Sequence, residues 1–153
     1  MMSETVAVQE HLFDSTTQIT ETIDFGTGME DVRSGRTTMP PQGLRFNLRI
    51  EGELTGAKVK GKISGTNYLY VRADGVGFID AHFIVITPEG DRIAMHAQGI
   101  STPPEGSTVS QFRENESFFT ASTKYAWINR IQVWATGSVD LETGKLTAKG
   151  YIA

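Results

Sequence analysis

Apolar and polar residues alternate along most of this chain. From Leu44 to Leu54, in LRFNLRIEGEL, apolar residues up to Ile50 occupy every second position, and charged or polar residues lie between them. The segments NYLYVRA, GFIDAHFIVIT and DRIAMHAQG continue this pattern, and the turn residues of Pro88–Gly90 separate the last two. Alternation with a period of two places successive side chains on opposite faces of a strand. The pattern therefore predicts a series of short strands connected by hairpins.

The remaining strands extend this series to a number that favours a closed sheet. ESFFTAS, KYAWINRIQVWATGSVD and KLTAKGYIA bring the total to roughly eight strands, and only VSQFREN, residues 109–115, offers one or two turns of helix. Because closure alone removes the edges of so many consecutive strands, we predict an all-β fold with a single antiparallel barrel. The barrel is expected to span residues 17–153, after an N-terminal extension of residues 1–16. We interpret residues 26–42, rich in Gly, Thr, Arg and Pro, as a loop that crosses a sheet edge or the barrel mouth.

Composition narrows the classes of function. A length of 153 residues corresponds to one ordinary domain. The absence of cysteine excludes disulfides, thiolate nucleophiles and cysteine-based zinc sites. A formal net charge of -4 argues against a nucleic-acid partner, because phosphate binding needs an excess of lysine and arginine. The first residues contain no secretory signal and no apolar run is long enough to span a membrane, so we expect a cytoplasmic protein without a membrane partner.

Three titratable residues of neighbouring strands are candidates for chemistry. Asp80 and His82 share one face of GFIDAHFIVIT, and both faces of this strand are apolar enough to be covered. If the hairpin register places His96 beside His82, the two imidazoles and the carboxylate converge. A carboxylate beside an imidazole tunes the base towards neutral pH, which predicts general acid/base work in a lumen. A hydrogen-bonded structural pair, a surface location and a two-His-one-carboxylate metal site remain open alternatives.

The segment KYAWINRIQVW places an asparagine and large amphipathic rings where a strand is expected. Tyr125, Trp127 and Asn129 would share one face of that strand. Because a strand-centre amide needs partners for both its donor and its acceptor, we predict that this face lines a pocket. The same wall is expected to include three side chains that alternate on one face of NYLYVRA: Tyr68, Tyr70 and Arg72.

Sequence signatures of common cofactor and nucleophile sites are absent. The chain has no Walker loop, and Gly75–Gly77 lacks the third glycine and the following helix of a dinucleotide site. No Gly-x-Ser-x-Gly nucleophile elbow occurs. We therefore expect no organic cofactor and assign no metal ligand.

Three blocks together resemble the DUF3237 family, also called UPF0311. They are VRADGVGFIDAHFIVITPEGDRIAMHAQG, ESFFTASTKYAWINRIQVWATG, and DFGTGMEDVRSGRTTMP with GLRFNLRIEGELTGAKVKGKI. The resemblance covers roughly Thr17 to Ile152 and implies a small barrel similar to allene oxide cyclase-like and lipocalin-like (calycin) barrels. The positions that match the family pattern are Asp74, Gly75, Asp80, Gly90, Gly99, Tyr125, Trp127 and Asn129. His82 departs from it, because the family pattern usually has arginine there, and Tyr68 stands in place of an Asp-Trp pair.

These observations lead to a predicted function. We expect a small-molecule-binding barrel that acts as a cofactor-free lyase, isomerase or cyclase on a small, partly apolar carbonyl compound. His82 assisted by Asp80 is the expected acid/base, and Tyr125 with Asn129 is expected to polarise the carbonyl. The expected substrate contacts are Tyr68, Tyr70, Arg72, His96 and Trp127. The alternatives are a non-catalytic ligand-binding protein and a structural module, and copies of the chain are expected to form a homo-oligomer.

Overall fold

Eight antiparallel strands form a closed barrel in the computed structural model, which describes residues 9–153. Each strand pairs with its neighbours in the chain, and β8 pairs with β1 to complete the circle. The strands are β1 His11–Asp24, β2 Leu44–Thr55, β3 Gly61–Val71, β4 Gly77–Ile86, β5 Arg92–Ser101, β6 Val109–Phe119, β7 Val133–Asp140 and β8 Lys145–Ile152. A short helix, α1 Met29–Arg33, follows β1, and a 3₁₀ helix, Ala126–Arg130, precedes β7. The prediction of an all-β, single antiparallel barrel is confirmed.

Side-chain alternation decides which residues enter the barrel. On β2, the apolar residues Leu44, Phe46 and Ile50 are buried, while the charged residues between them face outward. Glycines allow close contact between strands where they coil: a Cβ on Gly99 would lie 1.9 Å from the carbonyl oxygen of Arg113. The alternation read from the sequence thus corresponds to an inner and an outer face.

The two ends of the barrel differ in how they are filled. One end holds the main core, where Val59 of the β2–β3 connection and Ile128 of the 3₁₀ helix pack against inward strand residues. Other members of that core are Leu12, Phe13, Leu54, Ile63, Val85, Ile93, Met95, Tyr125 and Val133. The 3₁₀ helix therefore plugs this end, which we call the closed end.

Residues 26–42 lie at the opposite end, which we call the open end. Met29, Val32 and Met39 of this segment pack against the cluster of Leu44, Phe46 and Val71. Because these contacts lie where β2 begins and β3 ends, the segment covers part of the barrel mouth. Of the two locations predicted for it, a sheet edge or the barrel mouth, the second is the one observed. Neither helix within residues 9–153 is long and apolar enough to cross a membrane.

One domain boundary and one secondary-structure element differ from what the sequence predicts. β1 begins at His11, so residues 11–16, assigned above to an N-terminal extension, belong to the first barrel strand. Residues 1–8 of that extension lie outside the described residues. The segment VSQFREN forms the first part of β6, so the predicted helical turns are wrong there. Pairing of β6 with both β5 and β7 supplies backbone hydrogen-bond partners on each side and overrides the weak local preference.

Candidate functional site: a carboxyl pair in the barrel lumen

A cavity of about 470 Å³ extends from the open end of the barrel to the core at the closed end. Its walls are mostly apolar and come from inward residues of the strands, such as Leu48, Leu69 and Ile79. Met29 of α1 and Pro103 of the β5–β6 connection line the cavity at its mouth. The core at the closed end blocks the opposite exit, so the cavity is entered from the open end of the barrel.

Two carboxyl groups, Glu114 and Glu116, stand out among the lining residues of this apolar cavity. They occupy alternate positions of β6 and so face inward together with Phe112 and Phe118. Glu116 is only 3% exposed, and its Oε1 has no hydrogen-bond partner within residues 9–153. An unpaired buried polar atom is costly, which makes this oxygen the clearest unsatisfied group of the lumen.

The surroundings of Glu114 and Glu116 favour a state in which the pair holds a proton. Burial raises the pKa of the Glu116 carboxyl well above its usual value, and the adjacent charge of Glu114 raises it further. Burial also raises the pKa of Glu114, while a hydrogen bond from Glu116 opposes that rise. Two carboxyls that share one proton titrate as a unit, in which one group is the acid and the other the carboxylate. The pair can therefore both donate and accept a proton.

Asp80, His82 and His96 converge, but on the outside of the barrel. His82 and His96 are directly opposite in the β4–β5 register, and their rings stack with centroids 4.3 Å apart. Asp80 Oδ1 lies 2.8 Å from His96 Nε2 and 3.6 Å from His82 Nε2. The expected position in the lumen is wrong, because Ala81 and Phe83 are the inward residues of this strand. Acid/base catalysis by Asp80 and His82 in a dry lumen loses its basis.

The segment of Tyr125, Trp127 and Asn129 is not a strand and does not line the cavity. Asn129 accepts a hydrogen bond from the backbone N–H of Thr120 (2.7 Å) and donates one to the carbonyl of the same residue (2.8 Å). Both halves of the amide are thus used to close the connection between β6 and β7, so the partners that Asn129 requires are structural. Trp127 packs against the core of the closed end.

Tyr125 also belongs to the closed end. Its hydroxyl donates a hydrogen bond to Glu89 Oε1 (2.9 Å), and Lys124 forms an ion pair with the same carboxylate. The bonds from Lys124 and Tyr125 lower the pKa of Glu89 to about 2. Tyr125 and Asn129 therefore do not polarise a carbonyl in the lumen as predicted, because neither lines that cavity; Tyr125 and Trp127 instead line a small separate pocket at the closed end.

Tyr68 and Tyr70 of NYLYVRA lie on the outer face of β3, and Arg72 directly follows the last residue of that strand. The Tyr70 hydroxyl donates to the carbonyl of Gln42 (3.1 Å), and Arg72 forms an ion pair with Asp74. The Tyr68 ring meets His82 edge-on at 6.2 Å. The expectation that these side chains complete the inner wall is wrong, because the inward positions of β3 are taken by residues such as Asn67 and Leu69.

Sequence reasoning missed Glu114 and Glu116. Their segment, Arg113 to Ser117, is polar at every position, so it contains no visible alternation. Phe112 and Phe118 flank the two glutamates on one face of the strand, but Val109 and Phe119 flank the opposite face in the same way, so the sequence marks neither face as inward.

The fold and lumen define a class: closed eight-stranded antiparallel barrels with a cavity that opens at one end. The chain belongs to the DUF3237 family, since the model of that family, "Protein of unknown function (DUF3237)", matches residues 10–151. The resemblance drawn from the sequence is confirmed. No curated protein matches the sequence.

Solved structures share this fold at low sequence identity. A protein with unknown function from Clostridium acetobutylicum ATCC 824 is similar with a TM-score of 0.78 and 22% identity over 95% of this chain and 99% of its own. A beta-barrel like protein from Acinetobacter baumannii AYE gives 0.74 and 20% over 99% of each chain. An enzyme from Penicillium herquei gives 0.67 and 19%, also over 99% of each. At these identities the likeness establishes the barrel alone.

Proposed function

We propose that the lumen binds one small, mostly apolar organic molecule and that the Glu114–Glu116 pair moves a proton on it without an organic cofactor. The reaction class is that of a lyase, isomerase or cyclase acting on a carbonyl compound. The observation that carries this proposal is the unpaired Glu116 Oε1 beside a second carboxyl in an apolar cavity. The acid/base role predicted for His82 and Asp80 thus passes to two residues inside the barrel.

The chemistry needs one acid and one base in a dry site. Glu116, whose pKa is raised the more strongly by burial and by Glu114, retains its proton and donates it to a carbonyl oxygen. Glu114, as the carboxylate, takes a proton from the adjacent carbon, and the electron pair of that C–H bond forms the carbon–carbon double bond of an enol. Where a second carbon–carbon double bond is conjugated with the enol, Glu114 returns its proton to the far carbon, Glu116 takes back the hydroxyl proton, and the double bond shifts to give an isomer. Apolar surroundings strengthen each of these polar contacts.

Cavity size supports a small ligand. A volume of about 470 Å³ falls within the range of roughly 300–1,000 Å³ that is usual for small-molecule sites. Apolar lining with a few convergent polar groups is also the usual composition of such sites. One protein of the same fold, from Penicillium herquei, is described as an enzyme, which is consistent with a barrel of this kind supporting catalysis.

The test uses 5-nitrobenzisoxazole, whose isoxazole ring opens to a coloured phenolate when a base removes the C–H proton of that ring. We expect the protein to open it about a hundredfold faster than an equal concentration of acetate, the size of effect usual for a positioned base. Glu114→Gln and Glu116→Gln should each lose at least about tenfold of this rate. Glu53→Gln is the matched control, because Glu53 is an exposed carboxylate on the outer face of β2.

Two results would refute proton transfer in the lumen. One is a rate no higher than that of acetate for the unmodified protein. The other is an equal rate for the Glu53, Glu114 and Glu116 variants, which would assign the reaction to surface carboxylates.

Non-catalytic ligand binding is the second candidate function, and the apolar lining of the cavity favours it on its own. Titration with the neutral fluorophore N-phenyl-1-naphthylamine measures binding separately from turnover. Saturable binding together with no proton transfer in the preceding assay would select this function.

A further inference from the structure

We propose that Asp80, His82 and His96 form a binding site for one divalent transition-metal ion, such as Zn²⁺ or Ni²⁺, on the outer face of the barrel. The site is separate from the lumen, because these side chains project from the opposite face of β4 and β5. It uses two imidazoles and one carboxylate, a ligand set that suits such ions and leaves further coordination positions open.

Distances between the ligand atoms fit a single ion. Donor atoms bound at about 2.1 Å to one ion lie roughly 3.0–3.4 Å from one another in octahedral or tetrahedral geometry. The Asp80 oxygen lies 2.8 Å from His96 Nε2, just below that range, and 3.6 Å from His82 Nε2, just above it. The ligand atoms of all three residues lie within 4.8 Å of one another. Because the two rings stack nearly parallel, their Nε2 atoms must tilt towards each other to share one ion.

The barrel holds these ligands on rigid elements. His82 and His96 are a directly opposed pair on adjacent antiparallel strands, whose Cβ atoms are about 4.5–5.5 Å apart. Asp80 precedes His82 by two positions and so shares its face. Because hydrogen bonds to β3 and β6 flank the β4–β5 pair, the spacing of the ligands does not depend on a loop.

The electrostatic surroundings distinguish this cluster from an ordinary surface pair. Among the described residues, the basic groups within 4 Å of the Asp80 carboxylate are the two imidazoles themselves. His11 and Asp14 on β1 form a pair with the same 2.8 Å separation, but only one imidazole is present. Lys149 Nζ also lies 3.8 Å from Asp14 Oδ1, so a positively charged side chain already occupies space beside this carboxylate that a bound cation would need.

Both histidines of the site line a surface groove. Tyr68 and Phe119, on the strands to either side, line this groove together with both histidines, and Arg49 lines it as well. Phe119 is 67% exposed, so the rim presents apolar surface beside the site. A bound ion would therefore have room for water or a small ligand on its outer side.

Calorimetric titration of tag-free, EDTA-treated and dialysed full-length protein with Zn²⁺ and Ni²⁺ tests the proposal. We expect one ion per chain, and at least about tenfold weaker binding in His82→Ala, His96→Ala and Asp80→Asn, because loss of a ligand removes a coordinate bond. His11→Ala is the matched control and should bind as the unmodified protein does. Thermal unfolding without metal establishes that each variant is folded, as expected for exposed positions.

Spectroscopy supplies a second readout that does not depend on stoichiometry. Co²⁺ in the same protein should give visible absorption bands of a site with nitrogen and oxygen ligands, and these bands should be lost in His82→Ala and His96→Ala. The proposal is overturned if the unmodified protein shows no saturable binding below millimolar concentrations. It is equally overturned if a folded double variant of both histidines retains the bound ion, or if His11→Ala loses it.

Discussion

The barrel carries two clusters of titratable side chains, one inside and one outside, and their surroundings give them different chemistry. Glu114 and Glu116 face an apolar cavity, where burial raises the pKa of both. Asp80 and the two histidines are at least partly exposed on the outer face, where water screens their charges. The inner pair is therefore suited to proton transfer, and the outer trio to a hydrated cation. The face of the strand decides the chemistry here, more than residue type does.

Filling the cavity should have the largest effect. Ala148 lines the lumen on β8, and Ala148→Trp is expected to weaken binding of N-phenyl-1-naphthylamine about a hundredfold, because the indole occupies the ligand volume. Ala94 faces outward on β5, so Ala94→Trp serves as the control and should leave the affinity unchanged. Fluorescence titration measures both. Equal affinities would mean that the probe binds the outer surface, and the contrast between the faces would fail.

The pH dependence of stability should show the next largest effect. Because the folded-state pKa of Glu116 lies well above the usual 4.5, the folded protein binds a proton that the unfolded chain releases. The stability this provides is present below pH 4.5 and is lost as pH rises through the raised pKa. For every tenfold difference in proton affinity between the folded and the unfolded chain, the free energy of unfolding changes by about 1.4 kcal/mol, or roughly 3–6 °C in Tm for a chain of this size.

Glu116→Gln should flatten that decline, because glutamine is neutral at every pH. Thermal unfolding of both proteins from pH 5 to pH 9 measures the difference. In this window the stability that Glu89 contributes is constant, because its lowered pKa of about 2 makes that contribution decline only as pH falls below 4.5. Parallel curves for the two proteins would contradict a buried, protonated Glu116.

Removing the outer cluster should have the smallest effect on proton transfer. His82→Ala and Asp80→Asn are expected to change the rate of 5-nitrobenzisoxazole opening by less than about twofold, because both side chains lie outside the lumen. The same assay that tests the inner pair measures this. If either variant lost as much of this rate as Glu116→Gln does, the outer cluster and not the inner pair would be the site of proton transfer.

The barrel could be predicted from the sequence because alternation and turn residues repeat along the chain. The convergence of His82 with His96 followed from hairpin register, which the turn at Pro88–Gly90 constrains. Which side of β4 faces inward could not be read, since Phe78 and Ile84 on one face are as apolar as Ile79 and Val85 on the other. Only closure of all eight strands decides between them.

Two local features could not be predicted from the sequence, namely the 3₁₀ helix before β7 and the burial of two glutamates on β6, and the physical reasons differ. The segment with Tyr125 and Asn129 has strand-forming residues, but the backbone of Thr120 satisfies the Asn129 amide and holds a 3₁₀ helix in place. This contact joins residues nine positions apart and has no periodic signature. Glu114 and Glu116 lie in a run without apolar residues, so their burial depends on the partner strands rather than on the local pattern.

A lumen with one exit imposes an order of events on any turnover. Substrate and product share a mouth bordered by α1 and the β5–β6 connection, and a cavity of about 470 Å³ holds one small molecule at a time, so each leaves before the next binds. Met29 and Val32 of α1 pack against the apolar cluster where β2 begins and β3 ends, so displacement of this helix exposes apolar surface. Exchange at the mouth then sets a lower limit on the cycle time, and a product that resembles its substrate competes for the same entrance.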